Sequence, residues 1–149
     1  MPETQRPKKS YLEALNKKIL VFDGAMGTNL QKQKLTAENF GGERTFGCND
    51  YLVITYPQAV EKVHRSFLEA GVDVIETCTF RSNRLTLGEY GLADQVSRIN
   101  ETAAGLARHL ADEYSTPNHP RFVAGSIGPS GKLPSINDPE LSNITFDEL

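Results

Sequence analysis

The chain has 149 residues, enough for one modest domain, and its 38% hydrophobic and 23% charged residues are usual for a soluble protein. Its formal net charge of −3 and the lack of a basic cluster argue against nucleic acid or an anionic membrane as partner. No apolar run approaches the ~20 residues that span a bilayer and no hydrophobic signal core is present, so we expect a cytoplasmic protein.

The amino-terminal part of the chain predicts a flexible start and one short helix. Residues 1–9 are polar and contain prolines, so we expect them to be flexible. Ser10 is a suitable N-cap for a helix over residues 11–16, and Glu13 stands at the capping-box position. Leu12 and Leu15 are expected to form the buried face of this helix.

The next segment predicts the first strand and a binding site at its end. Residues 19–22 are continuously apolar, as in a strand buried on both faces, and the run stops at Asp23 and Gly24. If a helix follows, the N–H groups of Gly24 and Ala25 can bind an anion, while Asp23 pairs a cation. This arrangement suits an amino-acid zwitterion. The alternative is an ordinary turn in which Asp23 is only a helix N-cap.

The middle of the chain predicts a loop, a helix and a second strand. Residues 33–50 are rich in Gly, Asn and charge, so we expect a long loop on the ligand side. Pro57 fits the first position of a helix, which is predicted to end before Gly71. Residues 72–77 then have the apolar character of a second strand.

The last third of the chain repeats this order. Apolar residues recur at helical spacing over residues 92–114, and a third strand is predicted over residues 122–127. Residues 130–143 have the composition of a loop, and Thr145 and Glu148 have the spacing of another capping box.

Together these elements predict an α/β fold with three parallel strands, adjacent and in sequence order, covered by helices. Residues 10–149 are therefore interpreted as the amino-terminal part of an eight-stranded (β/α) barrel of the TIM type. Because three strands leave sheet edges open, we expect this segment to self-associate or to be only marginally stable on its own.

Five stretches, taken in order, resemble one protein family. They are VFDGAMGT (21–28), NDYLVITYP (49–57), EAGVDVIETCTF (69–80), FVAGSIGP (122–129) and NITFDEL (143–149). The chain thus resembles the homocysteine S-methyltransferase family, and in particular the amino-terminal homocysteine-binding domain of cobalamin-dependent methionine synthases.

This resemblance implies a TIM barrel that binds homocysteine at the carboxyl ends of its strands. It implies a zinc ion, held by three cysteines, that activates the substrate thiol, and methyl transfer from methylcobalamin recharged by a folate module. It also implies substrate-binding roles for Asp23, Gly24, Ala25 and Thr77. The expected partners are homocysteine and the cobalamin and folate modules of the full-length protein.

The metal ligands of that family are not found in this sequence. Its zinc cysteines belong to later strands, including a Gly-Gly-Cys-Cys-Gly stretch, so we predict no zinc ligand here and an isolated segment that is inactive. Cys78 is interpreted as a small buried side chain, and a zinc role for Cys48 is not expected. Glu76 is left open between a pocket acid and an ion-pair partner of Arg81 or Arg84. His64, His109 and His119 are expected to have packing or surface roles.

Two other functions fit the residues less completely. One is a non-catalytic half-barrel that self-associates and at most binds an amino acid. The other is an unrelated βα-barrel enzyme such as an aldolase, but barrel phosphate sites usually come from the last strands rather than the first. The continuation of the reading frame distinguishes them, since a Gly-Gly-Cys-Cys-Gly stretch supports the methyltransferase.

Overall fold

A computed structural model of the chain describes residues 10–132 and residues 144, 145 and 147. The helices in this part are α1 (Tyr11–Leu15), α2 (Met26–Gln31), α3 (Leu52–Thr55), α4 (Pro57–Ala70), α5 (Arg84–Gly88) and α6 (Val96–Glu113). The strands are β1 (Val74–Glu76) and β2 (Phe122–Ala124), and 3-10 turns occur at Glu43–Thr45, Asn49–Tyr51 and Ala93–Gln95. The flexible start predicted over residues 1–9, most of the loop predicted over 130–143 and the capping box that needs Glu148 lie outside the described residues.

The strands form a parallel pair, as the helix-then-strand order of the sequence predicts. Val74 lies opposite Phe122, and Glu76 at the carboxyl end of β1 lies opposite Ala124. Phe22 forms a single parallel bridge with Val74 on the other side of β1. The three predicted strand segments are therefore neighbours in sequence order, although the described part contains a two-stranded sheet rather than a three-stranded one.

The first predicted strand is the main difference from expectation. Residues 19–22 were predicted to be buried on both faces, but Ile19 is 88% exposed and Val21 is 54% exposed. The carbonyl of Val21 accepts the N–H groups of both Asp73 and Val74, so the backbone diverges after one bridge instead of continuing a ladder. This segment is an open edge of the sheet, and only Leu20 of its apolar side chains packs on the core among the described residues.

Helix α1 forms with its predicted capping box, in which Ser10 and Glu13 exchange side-chain and backbone hydrogen bonds. Its predicted buried face is wrong, because Leu12 and Leu15 are exposed and Ala14 is the buried residue. The helix packs through Ala14 and through Tyr11, whose ring meets Phe122 edge-on at 5.6 Å between centroids.

Helices α4 and α6 cover the sheet and contribute nine of the 22 buried hydrophobic residues in the described part of the chain. Pro57 occupies the first position of α4, and Gly71, at a φ of 100°, ends it in the left-handed conformation that glycine adopts without strain. The two helices pack against each other and against β1. The periodic segment predicted from Leu92 becomes regular helix only at Val96, after a 3-10 turn. No helix in the described ranges is long and apolar enough to cross a membrane.

The segment predicted as a long loop over residues 33–50 is more ordered than its composition indicates. Two 3-10 turns occur within or next to it, and Phe40, Thr45 and Cys48 are buried there. The Thr45 hydroxyl donates to the Phe40 carbonyl at 2.6 Å, so the segment packs on its own side chains and on α3 and α4. It is consequently a packed wall beside the sheet.

Asp73 connects three parts of the chain at the amino-terminal end of β1. No role was predicted for it from the sequence. Its buried carboxylate is paired with Lys18, accepts the Val21 N–H at 3.0 Å and contacts His119 Nε2 at 2.9 Å. Burial opposes ionisation of Asp73, but the hydrogen bonds from Lys18, Val21 and His119 outweigh it and lower its pKa.

Because the folded-state pKa of Asp73 is lowered, its contribution to stability is present above its unfolded pKa of about 4 and is lost as pH falls through the folded value. Asp73→Asn is therefore expected to lower the free energy of unfolding by about 1–3 kcal/mol at pH 7 and to flatten its decline below pH 4. Urea unfolding between pH 3 and 7 measures both. Asp112→Asn is the control, since its pair with Arg108 is more exposed; an equal loss in both variants would contradict the prediction.

Candidate functional site

A cavity of about 460 Å³ opens where the carboxyl ends of β1 and β2 meet the start of α2. Parallel α/β sheets place their ligand sites at this edge. All four residues that the sequence assigned to substrate binding line the cavity, namely Asp23, Gly24, Ala25 and Thr77. The segment over residues 47–50 and the start of α5 form the opposite walls.

Asp23 is held at the cavity wall by the backbone of β1. Its side chain is only 4% exposed, and Oδ1 accepts the Glu76 N–H at 2.8 Å. Asp23 does not cap α2. The N-cap residue is Ala25, and the start of the helix has no capping hydrogen bond from a side chain. The alternative in which Asp23 is only a helix cap is therefore wrong, and its carboxylate retains acceptor capacity toward the cavity.

The turn after Asp23 presents backbone donors to the same space. Ala25 has a φ of 51°, a left-handed conformation that costs a non-glycine residue energy and often occurs at functional sites. The N–H groups of Gly24 and Ala25 have no hydrogen-bond partner among the described residues. A Cβ at Gly24 would meet no atom within 4 Å, so the space beside this turn is open to a ligand.

Thr77 lies at the end of β1, but its hydroxyl already acts as both a hydrogen-bond donor and an acceptor within the protein. Thr77 Oγ1 accepts the Ser126 N–H at 3.0 Å and lies 2.7 Å from Thr79 Oγ1. Since Thr79 donates its only hydroxyl proton to the Ser126 carbonyl, Thr77 must donate to Thr79. Thr77 can donate to a ligand only by giving up this bond, a constraint that the sequence does not reveal.

Negative charge dominates the cavity. Asp23, Asp50 and Glu76 all line it, whereas the guanidinium of Arg81, the one Arg or Lys of the lining, pairs with Glu89 at 3.0 Å. No ion pair between Glu76 and either Arg81 or Arg84 is formed in the described part of the chain, and Glu76 lines the cavity as an exposed acid, not as the buried acid that was one prediction. The site therefore suits a ligand with a positive group, whose anionic end would rely on backbone N–H donors.

Asp50 was not predicted from the sequence, and it organises the far wall. Its buried carboxylate accepts the Arg81 N–H at 2.7 Å and the Ser82 hydroxyl at 3.0 Å. Burial raises its pKa although both hydrogen bonds act in the opposite direction. The role of Asp50 is to hold the chain entering α5 against the cavity.

Both cysteines are free, buried and part of the cavity lining. Burial raises the pKa of Cys48 to about 11 and raises the pKa of Cys78 as well, so neither thiol is ionised at neutral pH. Burial of Cys78 agrees with its interpretation as a small apolar side chain, while Cys48 is buried although its sequence context is polar.

Comparison with known proteins identifies the family. The family model described as homocysteine S-methyltransferase matches residues 20–149. The chain belongs to the homocysteine S-methyltransferase family. Methionine synthase of Mycobacterium leprae (strain TN) is 44% identical over 129 residues, which is 87% of this chain and 10% of that protein. Methionine synthase of Mycobacterium tuberculosis (strain ATCC 25618 / H37Rv) is 41% identical over 133 residues, which is 89% of this chain and 11% of that protein.

Solved structures of this family have a similar fold. The metallated form of the Escherichia coli homocysteine methyltransferase MmuM matches with a TM-score of 0.62 at 23% identity, and its oxidized form with 0.63 at 25%. Each match covers 78% of this chain and 40% of the MmuM chain. The chain thus spans about a tenth of the length of its curated homocysteine S-methyltransferase relatives and less than half of the MmuM fold.

Proposed function

We propose that residues 10–149 are the amino-terminal part of a TIM barrel that binds homocysteine and belongs to a cytoplasmic methionine synthase. In this proposal the full-length enzyme transfers a methyl group from methylcobalamin, originally from methyltetrahydrofolate, to homocysteine. The cobalamin and folate modules and the rest of the barrel are expected in other parts of that protein. Family membership and the two mycobacterial relatives support this assignment.

The proposal rests on one observation: a carboxylate that can bind a cation and N–H groups that can bind an anion lie at the same turn. The Asp23 carboxylate and the unpartnered N–H groups of Gly24 and Ala25 line one cavity. A carboxylate pairs with the substrate ammonium, and free N–H groups bind the substrate carboxylate. The other charged groups of the cavity are mainly acidic, so backbone N–H groups are the favoured hydrogen-bond donors to the substrate carboxylate.

Thr77 completes the proposed carboxylate site in a conditional way. Its hydroxyl would donate to the substrate only after releasing Thr79, whereas Thr79 would keep its own bond to the Ser126 carbonyl. We therefore assign the carboxylate mainly to the N–H groups of Gly24 and Ala25. Thr77 is assigned to the rim of the same site.

The described residues do not fit the zinc ion that the resemblance implies. No group of three His, Cys, Asp or Glu side chains within these residues is placed to hold a metal ion. Cys48 and Cys78 are both buried and free, and two thiols alone fall short of the three or four ligands of a zinc site. We propose that the zinc ligands, like the cobalamin site, belong to other parts of the full-length protein.

The metal assignment can be measured directly. The expressed segment of residues 1–149 is expected to contain less than about 0.1 zinc per chain by elemental analysis, because at most two cysteines are available and structural and catalytic zinc sites use three or four ligands. One tightly held zinc per chain that disappears in Cys48→Ser or Cys78→Ser would contradict this. The full-length protein, which is expected to carry the Gly-Gly-Cys-Cys-Gly stretch of the family, is the positive control.

The methyltransferase assignment is tested by product formation in the full-length protein. Methionine should form only when both homocysteine and a methyl donor are supplied, and chromatography of the quenched reaction measures it. Failure to form methionine with methylcobalamin as donor, in a protein that is folded and loaded with zinc, would contradict the assignment.

A second candidate is a non-catalytic half-barrel that associates through its open edge. The exposed apolar side chains of Ile19 and Val21 favour association of this edge with another chain segment. In the methyltransferase proposal the later strands of the same barrel cover that edge, so the observation does not decide between the two.

A further inference from the structure

His64 is the most unusual buried polar group in the described part of the chain. It lies in α4 with its side chain 0% exposed, and neither ring nitrogen has a hydrogen-bond partner among the described residues. Buried polar groups in folded proteins are nearly always paired, and an unpaired one needs an explanation. The helical spacing around His64 predicts only a packing role, but packing alone would be served better by an apolar side chain.

The carboxylate of Asp23 lies next to His64 and suggests an explanation. Its Nδ1 lies 3.7 Å from Asp23 Oδ2, which is slightly longer than a hydrogen bond. The other oxygen, Asp23 Oδ1, already accepts the Glu76 N–H. The Asp23 carboxylate is therefore held between β1 and α4, with the cavity on its remaining side.

We propose that His64 is a positioning residue of the homocysteine site. It carries a proton on Nδ1 and donates it to Asp23 Oδ2, and in the substrate complex this contact closes from 3.7 Å to hydrogen-bond distance. Together with the Glu76 N–H, this bond fixes both carboxylate oxygens of Asp23. His64 does not touch the substrate in this scheme, and the inference rests on the proposed role of Asp23 as the ammonium ligand.

Two polar substitutions separate positioning from packing. The amide nitrogen of Asn can stand where Nδ1 stands, whereas the longer side chain of Gln places its nitrogen near the position of Nε2. In the full-length protein, His64→Asn should bind L-homocysteine within about twofold of wild type. His64→Gln should bind it about two- to tenfold more weakly, because His64 affects binding only through the orientation of Asp23. Isothermal titration calorimetry gives both dissociation constants, and the melting temperature reports whether each variant is folded.

A double-mutant cycle with Asp23→Asn decides whether His64 acts through Asp23. The two- to tenfold effect of His64→Gln should disappear when Asp23 is already Asn. Equal weakening by Asn and Gln, no weakening by Gln, or the same effect of Gln in both backgrounds would overturn the positioning role. Normal homocysteine binding by Asp23→Asn alone would overturn the proposed site as well, so the two failures are distinguishable.

Discussion

Asp23→Asn in the full-length protein is expected to weaken L-homocysteine binding by about ten- to a hundredfold. The substitution keeps the shape of the side chain and its contact with the Glu76 N–H, but removes the negative charge that we propose pairs with the substrate ammonium. A charge-assisted contact contributes about 1.5–3 kcal/mol, which converts to this loss in affinity. Calorimetric titration with L-homocysteine measures it.

The control for Asp23→Asn must separate loss of a contact from loss of structure. Zinc content and melting temperature should stay at wild-type values, because the proposed metal ligands belong to other parts of the protein. Asp94→Asn removes an equal charge from an exposed position in the 3-10 turn before α6 and should leave the affinity unchanged. A comparable loss in Asp94→Asn would attribute the effect to overall charge rather than to the cavity.

Gly24→Val is expected to have the larger effect and to weaken homocysteine binding by more than about a hundredfold. A Cβ at Gly24 meets no atom of the described residues within 4 Å, so the backbone has room for a Cβ at this position. The valine methyl groups would instead fill the space that the substrate carboxylate needs beside the N–H groups of Gly24 and Ala25. Binding is lost because the site is blocked, while folding is retained.

A graded series makes the Gly24 prediction specific. Gly24→Ala should weaken binding less than Gly24→Val, because one methyl group blocks less of the carboxylate space. Gly105→Val serves as the matched control, since Gly105 is exposed in α6 and its Cβ also meets no atom within 4 Å. Equal affinity of wild type and Gly24→Val for homocysteine, measured by the same titration, would contradict this placement of the carboxylate.

Local signals in the sequence predict the helices of this chain well. Ser10 and Glu13 satisfy each other's backbone groups within one turn, and Pro57 and Gly71 set the ends of α4 through their own backbone preferences. Such effects act over a few residues, so they survive whatever the rest of the fold does. The parallel pairing of β1 and β2 follows from the intervening helix α6 in the same way.

The first predicted strand and the face of α1 could not be predicted in this way. An apolar run such as residues 19–22 indicates a segment that can be buried. Whether it is buried depends on a neighbouring layer formed by residues that are distant in the sequence. Leu12 and Leu15 fit a buried stripe, yet the position of Phe122 turns α1 so that Tyr11 and Ala14 make the contact. The periodicity of apolar residues therefore predicts the buried face of a helix only when the surface that packs against it is known.

The cavity shows the same division between local and tertiary information. Residues 23–25 can be recognised in the sequence, because an Asp and a Gly that follow an apolar run stand where parallel α/β sheets place ligand groups. The contact between His64 and Asp23 joins residues 41 positions apart on different elements, and Asp50 reaches Arg81 and Ser82 across a similar separation. No spacing rule within one element connects such pairs, and only the folded chain brings them together.

The most direct test of the proposed site compares two ligands that differ only in the ammonium group. Calorimetric titration of the full-length protein with L-homocysteine and with 4-mercaptobutyrate, which lacks the amine, is carried out on wild type and on Asp23→Asn. Wild type should prefer L-homocysteine by about ten- to a hundredfold, and Asp23→Asn should lose that preference while its affinity for 4-mercaptobutyrate stays unchanged. If a folded, zinc-loaded Asp23→Asn protein keeps the wild-type preference for L-homocysteine, Asp23 does not bind the ammonium group and the pocket lies on other loops.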